Sequence, residues 1–257
     1  MRYFLTLSYN GAPFCGWQVH PASPSVQACL ESALSRLLNR PVAVTGAGRT
    51  DSGVHAVNYV AHFDLDGELP FGQTDFCYKL SAMLPRSLVV HSVVPAEADL
   101  HARFSAKRRE YTYFLHRIKD PFLDSFSWQC GYPDLDFGAM NRSCAHLLGT
   151  HDFSCFEKTG GDNKTSVCTV FEARWEPYIP AHVAVMGFGD PGQYWYFRIA
   201  ADRFLRNMVR ATVGSLIEVG RGRHDPAWIA SLIASGTRSD AGESVPGHAL
   251  FLNKVSY

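Results

Sequence analysis

The sequence predicts an α+β protein built as two halves, each with its own strands and helices, meeting near Phe104. Two observations carry this. Runs that alternate polar and apolar residues, as strands do, interleave along the chain with apolar stripes at helical spacing. The composition is that of an ordered globular chain, 46% hydrophobic and 19% charged over 257 residues, which suffices for one large domain or two compact halves.

The elements follow in order. Residues 3–9 alternate as a strand. After a turn at 21–24, Ser25 can cap a helix whose Leu30, Leu34 and Leu37 share one face and which ends near Asn39 and Pro41. Strands are predicted at 42–45 and 57–65, a helix at 74–84 and a strand at 87–94. In REYTYFLHRI, Tyr111, Tyr113 and Leu115 fall on one face of a strand and Glu110, Thr112 and Phe114 on the other. Residues 121–136 read as a loop, 136–148 as a helix, and 166–175, 182–188 and 194–200 as strands. Thr159 to Asn163 suggests a mobile loop. In RFLRNMVRATVGSLIEVG a stripe of Leu205, Met208, Val209, Thr212, Val213, Leu216 and Ile217 marks a helix with Gly220 as its stop. Arg203, Arg206 and Arg210 fall on another face of that helix. A helix at 226–234 and a strand at 250–255 complete the second half.

The chemistry concentrates where VAVTGAGRTDSGVHA, residues 42–56, breaks from a β-branched run into a loop. Gly46, Gly48 and Gly53 permit a sharp turn that projects its polar side chains, Asp51 above all. The loop is not a phosphate-binding P-loop, which needs Gly-x4-Gly-Lys-Ser/Thr. Nor is it a dinucleotide fingerprint, because the third glycine would fall on Asp51, whose carboxylate repels a pyrophosphate. Asp51, Ser52 and His55 are too close in sequence for a hydrolase triad, and no G-x-S-x-G elbow is present. Spacing alone leaves a structural turn and a site equally open.

Seven cysteines without a C-x-x-C pair argue against a disulfide framework or zinc finger and fit a reducing cytoplasm. The N-terminus lacks a signal-peptide pattern, and no apolar run is long enough to span a membrane. Lysine plus arginine balance aspartate plus glutamate at 24 each. The basic residues are nevertheless clustered: Arg103, Lys107, Arg108, Arg109 and Arg117 in one stretch, Arg203, Arg206, Arg210, Arg221 and Arg223 in another. A solvated charged face accounts for any one such cluster, but two that also carry aromatics point to RNA.

GAGRTDSGVHA resembles the signature of the tRNA pseudouridine synthase A family. The likeness continues in the family's order through Gly16-Trp17-Gln18, Val26-Gln27, Leu84-Pro85, HARFSA (101–106) with Arg109 and Tyr111, His151-Asp152-Phe153, Phe204 to Arg210, and Val213-Gly214. It implies the pseudouridine synthase fold: two similar α/β halves with mainly antiparallel sheets, joined around a central active-site cleft. Residues 1–104 would carry the catalytic Asp loop and 105–257 the Tyr and Arg of the site. It implies isomerisation of uridine to pseudouridine in the anticodon stem-loop of tRNA, by a homodimer with no cofactor; no metal site is expected.

The implied catalytic residues are Asp51, Tyr111 and Arg210. Asp51 would be the nucleophile, attacking C6 of an extruded uridine or C1′ of its ribose. Tyr111 would stack on the base and help remove the C5 proton, unless it is a core tyrosine; Arg210 would pair with Asp51, unless it is a surface arginine. Arg49, Arg103, Arg109 and Leu250 would bind substrate, whereas His55 is read as a hydrogen-bonded structural histidine. The chain departs from the family pattern at Asn10, His20, Cys168 and Ala249, and Cys168 puts one basic contact in doubt. Two other classes stand beside this reading. An inactive RNA-binding module of the same fold would be marked by loss of Asp51 or Arg210, and a metal-dependent hydrolase needs ligand spacing that the eleven histidines lack.

Overall fold

The computed structural model describes residues 1–160 and 164–257, so the loop expected at 159–163 lies partly outside the described residues. The chain forms two compact units, one of Met1–Arg108 with Phe251–Tyr257, the other of Arg109–Leu250.

The first unit is built on β1 (Arg2–Tyr9), antiparallel to both β3 (His55–Asp64) and β4 (Leu88–Ala96). The two-residue β2 (Thr45–Gly46) pairs antiparallel with β3, and the C-terminal strand β10 (Leu250–Ser256) runs parallel to β3, with Phe251 opposite His55. Alternation places Leu5 and Leu7 of β1 wholly in the core. Helix α1 (Val26–Leu37) starts where the Ser25 hydroxyl accepts the Ala28 N–H at 3.3 Å, and it buries Val26, Leu30, Ala33 and Leu34. Helix α2 (Gln73–Met83) buries Phe76 and Leu80. The strand expected at 42–45 is mostly absent from the ladder for a local reason. The Val42 and Val44 N–H groups donate to Ser35 Oγ and Glu31 Oε1 of α1, both at 2.9 Å, so helix side chains satisfy backbone that a neighbouring strand would otherwise pair.

In the second unit, β5 (Arg108–His116) pairs antiparallel with β9 (Tyr194–Ala201), β9 with β8 (Val167–Pro177), and β8 with β7 (Gly149–Asp152). The short β6 (Trp128–Gln129) lies parallel to β5 within the segment expected to be loop. Helix α3 (Phe137–Cys144) is capped by Asp136, whose carboxylate accepts the Ala139 N–H at 2.8 Å. Helix α6 (Trp228–Ser235) buries Ile229 and Leu232.

Two expectations in this unit are corrected. The strand expected at 182–188 is instead the short helix α4 (Ala181–Met186). The alternation in HVAVM mimics a strand, but Pro180 opens a helical turn and Gly187, left-handed at φ +67°, closes it. The long helix α5 begins at Met208, not at Arg203, and runs to Gly220. Asn207 is left-handed at φ +64°, which breaks the helical period, so Arg203 and Arg206 precede the helix and do not share a face with Arg210. Every residue of α5 is buried except Arg210 and Glu218. A charge on a helix buried nearly all round is ordinarily paired or hydrogen-bonded.

Candidate active site

The Asp51 loop is held from inside by its neighbours. Thr50 is buried, shares a hydrogen bond of 2.9 Å with the Tyr9 hydroxyl, and accepts the Trp17 N–H on its carbonyl at 3.2 Å. Gly53 donates its N–H, and Ser52 its hydroxyl, to the Phe14 carbonyl, both at 3.4 Å. The Val54 N–H closes a turn onto the Asp51 carbonyl at 3.2 Å, with Gly53 at φ +78° in the position that needs a left-handed residue. His55 is buried, accepts the Gly11 N–H on Nδ1 at 2.9 Å and stacks on Phe251 at 4.5 Å. Beneath the loop the Trp17 and Tyr59 rings stack at 4.2 Å, and the Tyr59 hydroxyl donates to the Gly48 carbonyl. Thr50 and Val54 thus point into the core while Arg49 is exposed and Asp51 half-buried. The glycines and aromatics fix the backbone from both sides, so the carboxylate is displayed from a rigid turn.

Arg103 lies elsewhere in the first unit, exposed on the turn of residues 101–106.

In the second unit the chemistry gathers around the segment of residues 202–207 between β9 and α5. Tyr111, opposite Ile199 in the β5–β9 ladder, is half-buried and meets the Phe204 ring edge-on at 5.1 Å. Arg109, two residues earlier on the same face of β5, donates from Nη1 to the Asp202 carbonyl at 2.7 Å. The Asp202 carboxylate accepts the N–H groups of Arg203 at 2.7 Å and Thr169 at 2.8 Å, which fixes that turn. Leu250 is buried and opens β10 after a single 3₁₀ turn.

Arg210 is placed by residues that sequence patterns did not single out. Its Nε donates to the Val245 carbonyl at 2.7 Å, and its own carbonyl accepts the Val245 N–H at 3.3 Å. The strap of residues 242–245 lies against α5 at Gly214, where a Cβ would overlap the Glu243 carbonyl oxygen. The Gly242 N–H donates to Ser215 Oγ at 2.9 Å, while Arg238 and Asn207 both donate to Ser244 Oγ, at 2.8 and 2.5 Å. A glycine in mid-helix was the one available signal of this crossing.

Several clustered arginines are committed to the fold. Arg117 donates to the Tyr132 carbonyl at 3.1 Å and to the Pro133 carbonyl. Arg221 pairs with Glu218 at 2.7 Å and lies 3.7 Å from the Tyr132 ring centroid. Among the family departures, Asn10 accepts the Ala12 N–H on Oδ1 at 3.0 Å, a contact that aspartate would also make. Cys168 is buried, and burial pushes its thiol up to about 12. Among the described residues, no three His, Cys, Asp or Glu side chains gather to hold a metal ion, and no helix is long and apolar enough to cross a membrane.

Residues 143–257 match the family of tRNA pseudouridine synthases. The similarity to individual members extends over the whole chain. The tRNA pseudouridine synthase A of Porphyromonas gingivalis is 44% identical over 256 residues, covering 100% of this chain and 97% of that protein. That of Parabacteroides distasonis is 44% identical over 257 residues, covering 100% and 96%. That of Chlorobaculum tepidum is 39% identical over 255 residues, covering 98% and 96%. The chain belongs to the tRNA pseudouridine synthase A family, a family of isomerases.

Proposed function

We propose that this protein isomerises uridine to pseudouridine in the anticodon stem-loop of tRNA, with Asp51 as nucleophile and no cofactor. The observation that carries the reading is the Asp51 turn itself. Thr50 and His55 on either side are buried and hydrogen-bonded, so the one carboxylate of the loop is presented half-buried from fixed backbone.

The reaction breaks the N1–C1′ bond, joins C5 to C1′, releases the C5 proton and protonates N1, so substrate and product have the same composition. A carboxylate can serve by adding to C6 of the base or to C1′ of the ribose, which splits one difficult step into two. Neither atom is reachable in a stacked stem, so the nucleotide must be extruded. Tyr111 stacks on the extruded base and takes part in removing the C5 proton. Arg210, the one cation of the nearly buried helix α5, favours the ionised form of the reacting groups. Arg49 contacts a phosphate or fills the space that the extruded base leaves, Arg103 and Arg109 contact the RNA, and Leu250 lines the base pocket.

The protein works in the cytoplasm, and as a homodimer: a chain of formal net charge +0 carries its positive charge only in modest local clusters, and a two-fold pair brings the clusters of both chains to one RNA. Binding then weakens steeply with salt, and a fully active monomer in sedimentation would count against the dimer.

Tritium release from uridine C5 of a tRNA transcript tests the activity. Wild-type protein releases tritium, and Asp51→Asn, folded and still binding tRNA, releases none. Turnover by Asp51→Asn would remove the nucleophile assignment, and a wild type that binds without release would be an inactive RNA-binding module.

A further inference from the structure

We propose that Phe104 is a stacking platform for an unpaired base of the RNA substrate, with Arg103 beside it for the adjoining phosphate; this rests on reading the protein as an RNA-modifying enzyme. Phe104 is 77% exposed. The backbone that carries it is fixed by a closed turn. The His101 N–H donates to Ser105 Oγ at 2.9 Å, and the Ser105 N–H returns to the His101 carbonyl at 3.0 Å. The N–H groups of Arg103 and Phe104 both donate to Nδ1 of His101, at 3.0 and 3.2 Å. Ala102, wholly buried, anchors the turn: its N–H donates to His62 Nδ1 at 3.1 Å, and its carbonyl accepts the Tyr257 hydroxyl at 2.7 Å.

The ring is braced by its neighbours. His101 packs against it at 4.4 Å between centroids, and the Arg103 guanidinium lies 5.5 Å from its centroid. Arg103 and Lys107, both exposed, flank it with positive charge. That setting suits a nucleic acid better than a protein partner, because protein interfaces are depleted in lysine at their cores, whereas a phosphate backbone is drawn to it. Every base has a π-face, so an aromatic fixed in such a turn can stack on an unpaired base without reading its sequence. His101 accepts two N–H groups on one nitrogen, so the turn requires its neutral form. Burial first, then the charges of Arg2 and Arg103, hold its pKa below the usual histidine range, opposed by a backbone hydrogen bond at His101 itself and by Asp64.

The experiment compares tRNA binding by wild type, Phe104→Ala, Phe104→Leu and Phe104→Trp, with thermal unfolding to confirm that the exposed position does not affect stability. The alanine and leucine variants bind roughly tenfold or more weakly, and the tryptophan variant, which keeps a π-face, binds as the wild type does. Quenching by tRNA of the indole fluorescence that Phe104→Trp adds, beyond the wild-type background, reports the stack directly. Wild-type affinity in Phe104→Ala, or equal affinity in the leucine and tryptophan variants, overturns the platform. Pseudouridine formation by the wild type is scored separately. Its absence would sink the parent reading, while the binding comparison decides the platform in either case.

Discussion

Gly16 lies directly beneath Thr50: a Cβ at this position would overlap the Thr50 carbonyl oxygen and stand 3.2 Å from the carbonyl carbon of Asp51. Gly16 is also left-handed, at φ +96°. Gly16→Ala therefore meets strain of about 1–2 kcal/mol from the backbone alone, and relief requires the Thr50–Asp51 peptide to move. A displacement on the order of 1 Å can cost about 10²-fold in rate. We expect a modest loss in denaturant unfolding free energy and a much larger loss in single-turnover pseudouridine yield. Wild-type turnover in a strained but folded Gly16→Ala protein would show that the loop position does not govern the chemistry.

What the sequence made legible was local. Ser25 and the Leu30/Leu34 spacing define α1 because cap and stripe lie within one helix, and the alternation of Tyr113 and Leu115 defines the buried face of β5. The glycines of the Asp51 loop announced a sharp turn, and Gly53 sits in a left-handed conformation. What escaped depends on partners far away in sequence. Val42 and Val44 read as strand, yet Ser35 and Glu31 take their N–H groups. The apolar stripe ran unbroken through Asn207 because a left-handed residue leaves the spacing of hydrophobic letters unchanged. Charge clustering also overstated the basic surface, since Arg117 and Arg221 are occupied by Tyr132, Pro133 and Glu218.

The crossing of Gly214 by Glu243 gives a second expectation. Gly214→Ala places a methyl group where the Glu243 carbonyl lies, so the strap carrying Val245, the Nε partner of Arg210, must shift. Overpacking of this kind typically costs about 1–3 kcal/mol. Ser215→Ala leaves the Gly242 N–H without its hydroxyl partner and costs a comparable roughly 1–3 kcal/mol without adding bulk. If the strap positions Arg210, Gly214→Ala lowers turnover well below Ser215→Ala at matched stability. Equal turnover in the two variants would make the crossing purely structural.

His62 links stability to pH. Burial chiefly, then the charges of Arg2 and His101, lower its pKa to about 4, with Asp64 opposing, and its Nδ1 must stay unprotonated to accept the Ala102 N–H. The folded state therefore binds fewer protons than the unfolded state between about pH 4 and the unfolded value near 6.5. Stability is full above roughly pH 6.5 and declines as the pH falls toward 4, by up to about 3 kcal/mol from this group. In His62→Asn the side-chain oxygen can still accept from Ala102 but does not titrate. Urea unfolding at pH 7.5 and 4.5 should show a smaller acid loss in the variant; equal losses would assign the acid sensitivity to other groups.

Tyr111 and Tyr113 share a face of β5 and separate two roles for a tyrosine. Tyr113 is fully buried, and its hydroxyl has no hydrogen-bond partner among the described residues. Tyr113→Phe removes an unsatisfied polar group, so stability should hold or rise and turnover should not change. Tyr111 is half-buried against the edge of Phe204. If its ring stacks on the target base, that contact is worth roughly 1–3 kcal/mol, which phenylalanine largely reproduces. If its hydroxyl also takes or relays the C5 proton, phenylalanine cannot replace it. Tyr111→Phe should then bind tRNA almost normally while single-turnover yield falls sharply, and Tyr111→Leu should weaken both. Wild-type turnover in Tyr111→Phe would reduce the residue to a stacking surface, and wild-type behaviour in Tyr111→Leu as well would make it a packing tyrosine like Tyr113.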